Sequence, residues 1–479
     1  MIVRALIHMF SRRSLFRSTS RHDPVTLVDH RSESRGDRVR YGGCMVLSPQ
    51  IRSERLRALR DDRTKIVGSE KVFYKGNPER FDVFQIPLEL LIYNRHNGRI
   101  ESEMLTWQFE HDIGHKDYND TIHKLIDKFL WETNVERNKH TLKDLKEKQQ
   151  QRPGIVSLDG VIIDGNRRAM LLRRLGSNMF FEGVILPDEY YENEKEIVRL
   201  ETEYQIGEDS KLDYGPLEKY LKVKRLIDGL GYTKEEVRQM MGIGIGELER
   251  RIATMKLMDE YLEYIDCAGL YNMLKERDGS TKEGMFVDLN ADLKRLKDGA
   301  TGIAWAPDAI DIEELKATQF DYLRYGTSLF ESGKDYRQIS HDGRGERSFF
   351  ANESIWRAFR AEHQKNIDPI TLAIPPLDEY LAEHPELGSR KEAAELRSDE
   401  WKTKAKGLLT GNFNRSGDKL EAENDANEPR RLLERAFAAL TRVNYTAPSF
   451  TKDAANKSLV KEIGTLVWEM TKRLGKPGK

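Results

Sequence analysis

Between residues 83 and 190 short apolar runs alternate with amphipathic helical periods. In VFQIPLELLIY (residues 83 to 93), Val83, Ile86, Leu88 and Leu91 suit a strand and a short turn. The aperiodic stretch from Asn94 to Arg99 predicts a loop. NDTIHKLIDKFLWE (119 to 132) places Ile122, Leu125, Ile126, Phe129 and Leu130 at three/four spacing, which predicts an amphipathic helix. TLKDLKEKQQQ (141 to 151) predicts another, stopped by Pro153-Gly154. IVSLD and VIIDG read as two short strands joined by Asp159-Gly160, the signature of a hairpin. A helix to Leu175 follows, with Gly176 as its stop, and then a strand over FFEGVILP (180 to 187). The alternation predicts an α+β domain over about 75 to 190.

From Glu192 the pattern turns helical. ENEKEIVRLETEYQ is one helix, and residues 215 to 231 form a second, with Pro216 in its first turn. TKEEVRQMMG and GELERRIATMKLMDEYLEYI make a close pair. Residues 281 to 479 read as a charged, mainly helical extension, with a boundary at Pro375-Pro376 and helices over 427 to 440 and 457 to 474. The last carries a Leu/Ile/Val/Trp stripe, including Leu466 and Trp468, read as core or dimer surface. Residues 1 to 72 read as a basic leader and linker, with one short helix over Ser53 to Asp61 and order beginning near residue 83. Arg4, Arg12, Arg13, Arg17 and Arg21 give the first 22 residues the look of a transit peptide. The plainer expectation is an over-extended start, with Met9 or Met45 as alternative first residues. The expected division is therefore 1–72, 75–190, 192–280 and 281–479.

Charged residues make up 33% of the 479, yet the formal net charge is −1, so a nucleic-acid contact must come from local basic patches. Two cysteines, Cys44 and Cys267, cannot build a disulfide framework or a zinc site. No apolar run approaches the roughly 18 residues of a membrane span, and a cytoplasmic protein is expected.

The strand-to-helix corner GVIIDGNRRAMLLRRLG (160 to 176) carries the sharpest chemistry. A helix N-terminus presents unpaired N–H groups and the positive end of a dipole, and so attracts anions. Arg167 and Arg168 at that end are unfavourable without one, and arginine forks match phosphate oxygens in pairs. Gly165 allows close backbone approach or a positive φ, and Asp164 is placed to orient an arginine or to contact a ribose or metal. The plainer alternative is a solvated helix start whose arginines pair with nearby glutamates.

The corner resembles the ParB/sulfiredoxin-like fold, whose ParB members carry Gly-x-Arg-Arg at this junction; the match is Gly165-Asn166-Arg167-Arg168. IPLELLIYNRHNGR resembles the family's first box, with Asn94 and Arg99 at the matching positions. The resemblance implies binding of a nucleoside triphosphate, CTP or ATP, with Mg²⁺, by Arg99, Asp164, Gly165, Asn166, Arg167, Arg168 and Gln205. Arg99 would face the phosphates from the other side. The family's third box, Glu-Asn-x-x-Arg, is altered in LETEYQIGED: Glu201 matches, Thr202 replaces the Asn, and Gln205 stands near the Arg position. CTP preference and hydrolysis therefore do not follow from the resemblance. Glu201 is the expected catalytic carboxylate, and Glu201 with Glu203 the expected metal ligands. Gly42-Gly43-Cys44 resembles part of the sulfiredoxin motif but continues Met45-Val46 rather than His-Arg.

Residues 233 to 257 fit a helix-turn-helix, with Val237, Met241 and Leu248 inward and Gly242 at the turn. Its position after the nucleotide domain also resembles ParB. Arg250, Arg251 and Lys256 are the candidate DNA contacts, directed at phosphate rather than sequence because Glu247 and Glu249 flank them. HDGRGERSFF (341 to 350) reads as a basic loop. His341, Asp342 and Glu346 are open to a nuclease-like metal reading, and Asp321, Arg324 and Arg347 are equally open. The expectation is a homodimeric, nucleotide-dependent clamp or switch on DNA, of plasmid, phage or defence type, with a partner ATPase encoded elsewhere. The rivals are a Mg²⁺-dependent nuclease or NTPase, and an interaction module that has lost its nucleotide.

Overall fold

The computed structural model describes residues 46–111, 114, 116–176, 179–206, 215–276, 281–299, 303, 305–330, 334–340 and 348–475. The basic leader, the Gly42-Gly43-Cys44 motif and the loop carrying His341, Asp342, Glu346 and Arg347 lie outside them.

Regular structure is present earlier in the chain than the polar composition suggests. Helix α1 (Pro49–Asp61) is started by Ser48, whose side chain accepts from the Ile51 N–H, and by Pro49 in the first turn. Strands β1 (Ile66–Tyr74) and β2 (Asn77–Pro87) then form a long antiparallel hairpin. Lys75 (φ 50°) and Gly76 (φ 81°) give its turn two positive φ values, the geometry that matches strand twist. The linker expected up to residue 72 and the start of order near 83 are thus corrected from residue 46 onward. Much of this hairpin is solvent-facing, so Glu70, Lys71, Glu79 and Arg80 hide its strand pattern.

After β3 (Ile92–Tyr93) come α2 (Glu101–His111), α3 (Asp120–Glu132) and α4 (Val135–Lys148). Helix α4 starts at Val135 rather than 141 because Asn134 caps it by accepting from the Arg137 N–H. Strands β4 (Gly154–Val156) and β5 (Val161–Asp164), helix α5 (Asn166–Leu175) and strand β6 (Phe180–Ile185) follow. Gly160 makes the β4–β5 turn possible: its φ is +80°, and the Leu90 carbonyl oxygen occupies the space a Cβ would need.

The six strands form one mixed sheet in the order β1-β2-β6-β4-β5-β3. β4 runs parallel to β6, β5 parallel to β3, and the other neighbours are antiparallel. Alternation along the strands separates two cores. Phe84, Ile86, Ile162 and Phe181 pack with α1, α3 and α5, while Val83, Ile155, Val161, Ile163 and Val184 pack with the helices that follow.

Those helices are α6 (Glu194–Ile206), α7 (Pro216–Lys224) with a π-turn over Arg225–Gly229, α8 (Lys234–Met241) and α9 (Ile245–Tyr264). Thr233 and Glu236 form a capping box at α8. Helices α10 (Glu283–Lys297), α11 (Ala309–Tyr325), α12 (Arg337–Ser340), α13 (Glu353–Leu372), α14 (Leu377–Glu383), α15 (Arg390–Thr441), α16 (Pro448–Lys452) and α17 (Ala454–Leu474) complete the chain. One core runs from Leu217 to Ala394, so helices on both sides of residue 280 share an interior. The helix expected over 427 to 440 is the last part of the 52-residue α15, with Pro429 inside it, rather than a separate element. Among the described residues no helix is long and apolar enough to cross a membrane.

Candidate functional site

The corner is built as the sequence suggests. β5 ends at Asp164, and Gly165 turns the chain into α5 with φ +103°; a Cβ there would lie 2.7 Å from Phe181 Cζ. Asn166, almost fully buried, does not cap its own helix. Its Oδ1 accepts from the Asn94 backbone N–H at 2.8 Å, and its Nδ2 donates to the Ile162 carbonyl at 2.9 Å.

Two successive helical residues point about 100° apart, and the arginines accordingly diverge. Arg167 reaches α4, where its Nε donates to Asn138 Oδ1 at 2.5 Å and its Nη2 to Thr141 Oγ1 at 3.4 Å. Asn138 in turn holds the Leu130 and Trp131 carbonyls, at 3.1 and 2.7 Å. Arg168 turns the other way. It pairs with Asp164 at 2.5 Å and donates to the carbonyls of Arg152 and Pro153. Its acidic partner is thus the corner's own aspartate, as one expectation for Asp164 has it, and not a glutamate.

The first-box loop is anchored to this corner. Asn94, buried, takes the Asn166 bond through its backbone, accepts from the His96 N–H at 2.9 Å, and donates from Nδ2 to Glu201 Oε1 at 3.3 Å. Arg95, also buried, donates to the carbonyls of Gly114 and Asp117 at 2.8 and 2.6 Å. Arg99 is half-buried, its backbone N–H held by Asn97 Oδ1 at 3.1 Å. On α6, Glu201 also accepts from Lys222 Nζ of α7 at 3.1 Å. Thr202 bonds back to the Val198 carbonyl at 2.7 Å. Glu203 takes Arg199 at 2.9 Å. Glu201 and Glu203 are two positions apart on a helix and so face different sides; the structure does not bring them to one point. Gln205 falls within α6, with its side chain outside the described residues.

Sequence reasoning missed the charges that surround Glu201. Glu101, at the start of α2, is 3% exposed, and its Oε2 has no hydrogen-bond partner. Burial pushes its carboxyl up to about 7; Arg225 and Lys222 oppose the rise and Glu201 and Glu218 reinforce it. Arg225 donates to Glu194 at 3.0 Å and Tyr190 at 3.3 Å. Burial lowers its pKa, but Tyr190, Glu101 and Glu201 together raise it above the ordinary value. Glu218 accepts from Ser102 at 3.3 Å and pairs with Lys275 at 3.2 Å. The available signal was Glu218 and Lys222, one turn apart and each directly after an apolar residue, Leu217 and Leu221.

In the helix pair, Val237, Met241 and Leu248 are buried and Gly242 adopts φ 63°, as the spacing predicts. Arg250 and Lys256 are exposed. Arg251 pairs with Glu247, and Lys234 with Glu249 at 3.6 Å. Among the described residues no group of three or more His, Cys, Asp or Glu side chains is arranged to hold a metal ion. In comparisons with known proteins, no family model and no curated protein matches the chain.

Proposed function

We propose that the chain binds a nucleoside triphosphate, CTP or ATP, where the Asn94–Arg99 loop meets the β5–α5 corner, and that binding switches how protomers associate around DNA. The observation that carries this reading is the hydrogen-bonded series Asn166, Asn94, Glu201, Lys222. It ties two segments remote in sequence, the Asn94 loop and α6, to one helix N-terminus and continues into α7, which packs on α9 of the helix pair. Such an N-terminus favours anions. Arg167 and Arg168 would exchange uncharged amide, hydroxyl and carbonyl acceptors for ionised phosphate oxygens, which strengthens those bonds, while the pair of Arg168 with Asp164 competes with the ligand. Lys222 already takes one oxygen of Glu201, so magnesium enters on the phosphates, which supply much of its coordination in such sites. Arg250, Arg251 and Lys256 supply the DNA contacts, and the C-terminal helices the contact between protomers.

The pairing of Arg168 with Asp164 favours one other reading. There the arginines are internal ties and the protein is a nucleotide-free interaction module. Calorimetry with CTP, ATP, GTP and UTP decides between them. Binding of any one, weakened by Arg168→Ala, supports the first reading; no heat from any of the four supports the second.

A further inference from the structure

The helical region holds a second set of buried cations that the corner does not explain. Arg324 on α11 is 5% exposed. Its guanidinium stacks over Trp401 of α15, 4.5 Å from the ring centroid. Among the described residues no carboxylate pairs with it, and its Nε is buried without a hydrogen-bond partner. Lys282, just before α10, is 4% exposed. Among the described residues its ammonium meets Tyr261, with the hydroxyl at 3.5 Å and the ring at 5.7 Å. Burial brings this lysine down to about 8; Glu276 opposes the fall, while Lys402 and Arg324 add to it. Arg397 differs, being fastened to Asp266 at 3.0 Å and to the carbonyls of Pro375 and Ile265.

The acids that act on these cations do not neutralise them. Asp321, one turn before Arg324, has one oxygen committed to His363 at 3.0 Å and Tyr264 at 3.1 Å, and the other is buried without a partner. Glu276 packs its carboxylate against Gly326 and leaves Oε1 unpartnered. Removing a charge from water without a partner costs several kcal/mol. Both cations have Tyr261 as a neighbour, and neither is paired with a carboxylate among the described residues.

We propose that Arg324 and Lys282 bind a small oxyanion, such as a phosphate group, with the Tyr261 hydroxyl as a neutral donor. The guanidinium Nε and the ammonium protons offer donors to more than one oxygen, and Arg324 is already oriented by Trp401. Half-buried Glu276 and Lys402 border the site, one repelling and one attracting an anion. This site is independent of the nucleotide reading.

The test is calorimetric titration of the full chain with inorganic phosphate at fixed ionic strength, in an Arg168→Ala background that weakens any binding at the corner. We expect one binding event, weakened at least about tenfold by Arg324→Met and by Lys282→Met, the equivalent of one charge-assisted hydrogen bond. Without phosphate, Arg324→Met melts no lower than its parent, because it removes an uncompensated buried charge. Absence of phosphate binding, or binding indifferent to both substitutions, overturns the proposal. If Arg324→Met does not fold, Lys282→Met decides alone. Phosphate binding present in wild type but abolished by Arg168→Ala belongs to the corner and counts against this site.

Discussion

The backbone N–H of Asn94 donates to the side chain of Asn166 across 2.8 Å, joining a loop and a helix start that lie 72 residues apart. Both residues are almost fully buried, so neither group has water as a substitute. Asn166→Ala strands the Asn94 N–H and the Ile162 carbonyl, and is expected to cost about 1–3 kcal/mol for each group left unsatisfied. Asn166→Asp keeps the acceptor for Asn94 but loses the donor to Ile162, and should cost less. Urea denaturation of the three proteins measures the order.

Glu201 and Lys222 form a buried pair at 3.1 Å, with side chains 0% and 6% exposed. Lys222→Met leaves the carboxylate buried without its cation, and is expected to destabilise by about 3–5 kcal/mol. Glu201→Gln together with Lys222→Met removes both charges and should cost less than the two single changes added. A double-mutant cycle by chemical denaturation reads the coupling directly.

Glu101 gives stability a pH dependence of a particular sign. Its carboxyl titrates near 7 in the folded protein, against 4.5 for the free group, chiefly through burial. Between these values the unfolded chain releases the proton while the folded chain keeps it. Stability therefore falls as pH rises through this window, by up to ~1.4 kcal/mol per pH unit, and levels off above about 7. Glu101→Gln should abolish that slope, and its gain over wild type should be larger at pH 8 than at pH 5. Equal effects at both pH values would contradict the assignment.

The C-terminal helices expose Phe437 (71%), Trp468 (62%), Leu459 (55%) and Leu466 (53%), and α17 buries none of its residues. Val460, Ile463, Val467, Met470 and Leu474 recur at three/four spacing along it, a stripe suited to packing against another helix. If this is the contact between protomers, Val467→Asp with Met470→Asp should convert a dimer to a monomer in sedimentation equilibrium without changing the far-UV spectrum of the rest. An unchanged mass would place the contact elsewhere.

The corner was legible because its determinants are local. Gly165 needs its positive φ, Gly176 ends the helix, and Met170 to Leu172 supply the buried face. The helix pair was legible for the same reason, through Thr233, Gly242 and Leu248. The β1–β2 hairpin was not, because its solvent-facing strands carry charged residues and its turn is Lys75-Gly76 rather than Asn-Gly. The directions of Arg167 and Arg168 depend on Asn138 and Asp164, contacts set by the packing of α4 and the end of β5. Glu101, Lys222 and Arg225 come together across more than a hundred residues, and no sequence period marks such a meeting. No sequence period links Lys282 to Arg324 either.

We propose that the β5–α5 corner seats a triphosphate. The most direct test is thermal unfolding of the full chain with each of the four ribonucleoside triphosphates and magnesium, beside an Arg167→Ala, Arg168→Ala double variant. At a hundredfold excess over Kd, one triphosphate should stabilise wild type by about 2.7 kcal/mol and leave the double variant nearly unmoved. Identical curves with and without every nucleotide, or equal stabilisation of both proteins, would contradict the account.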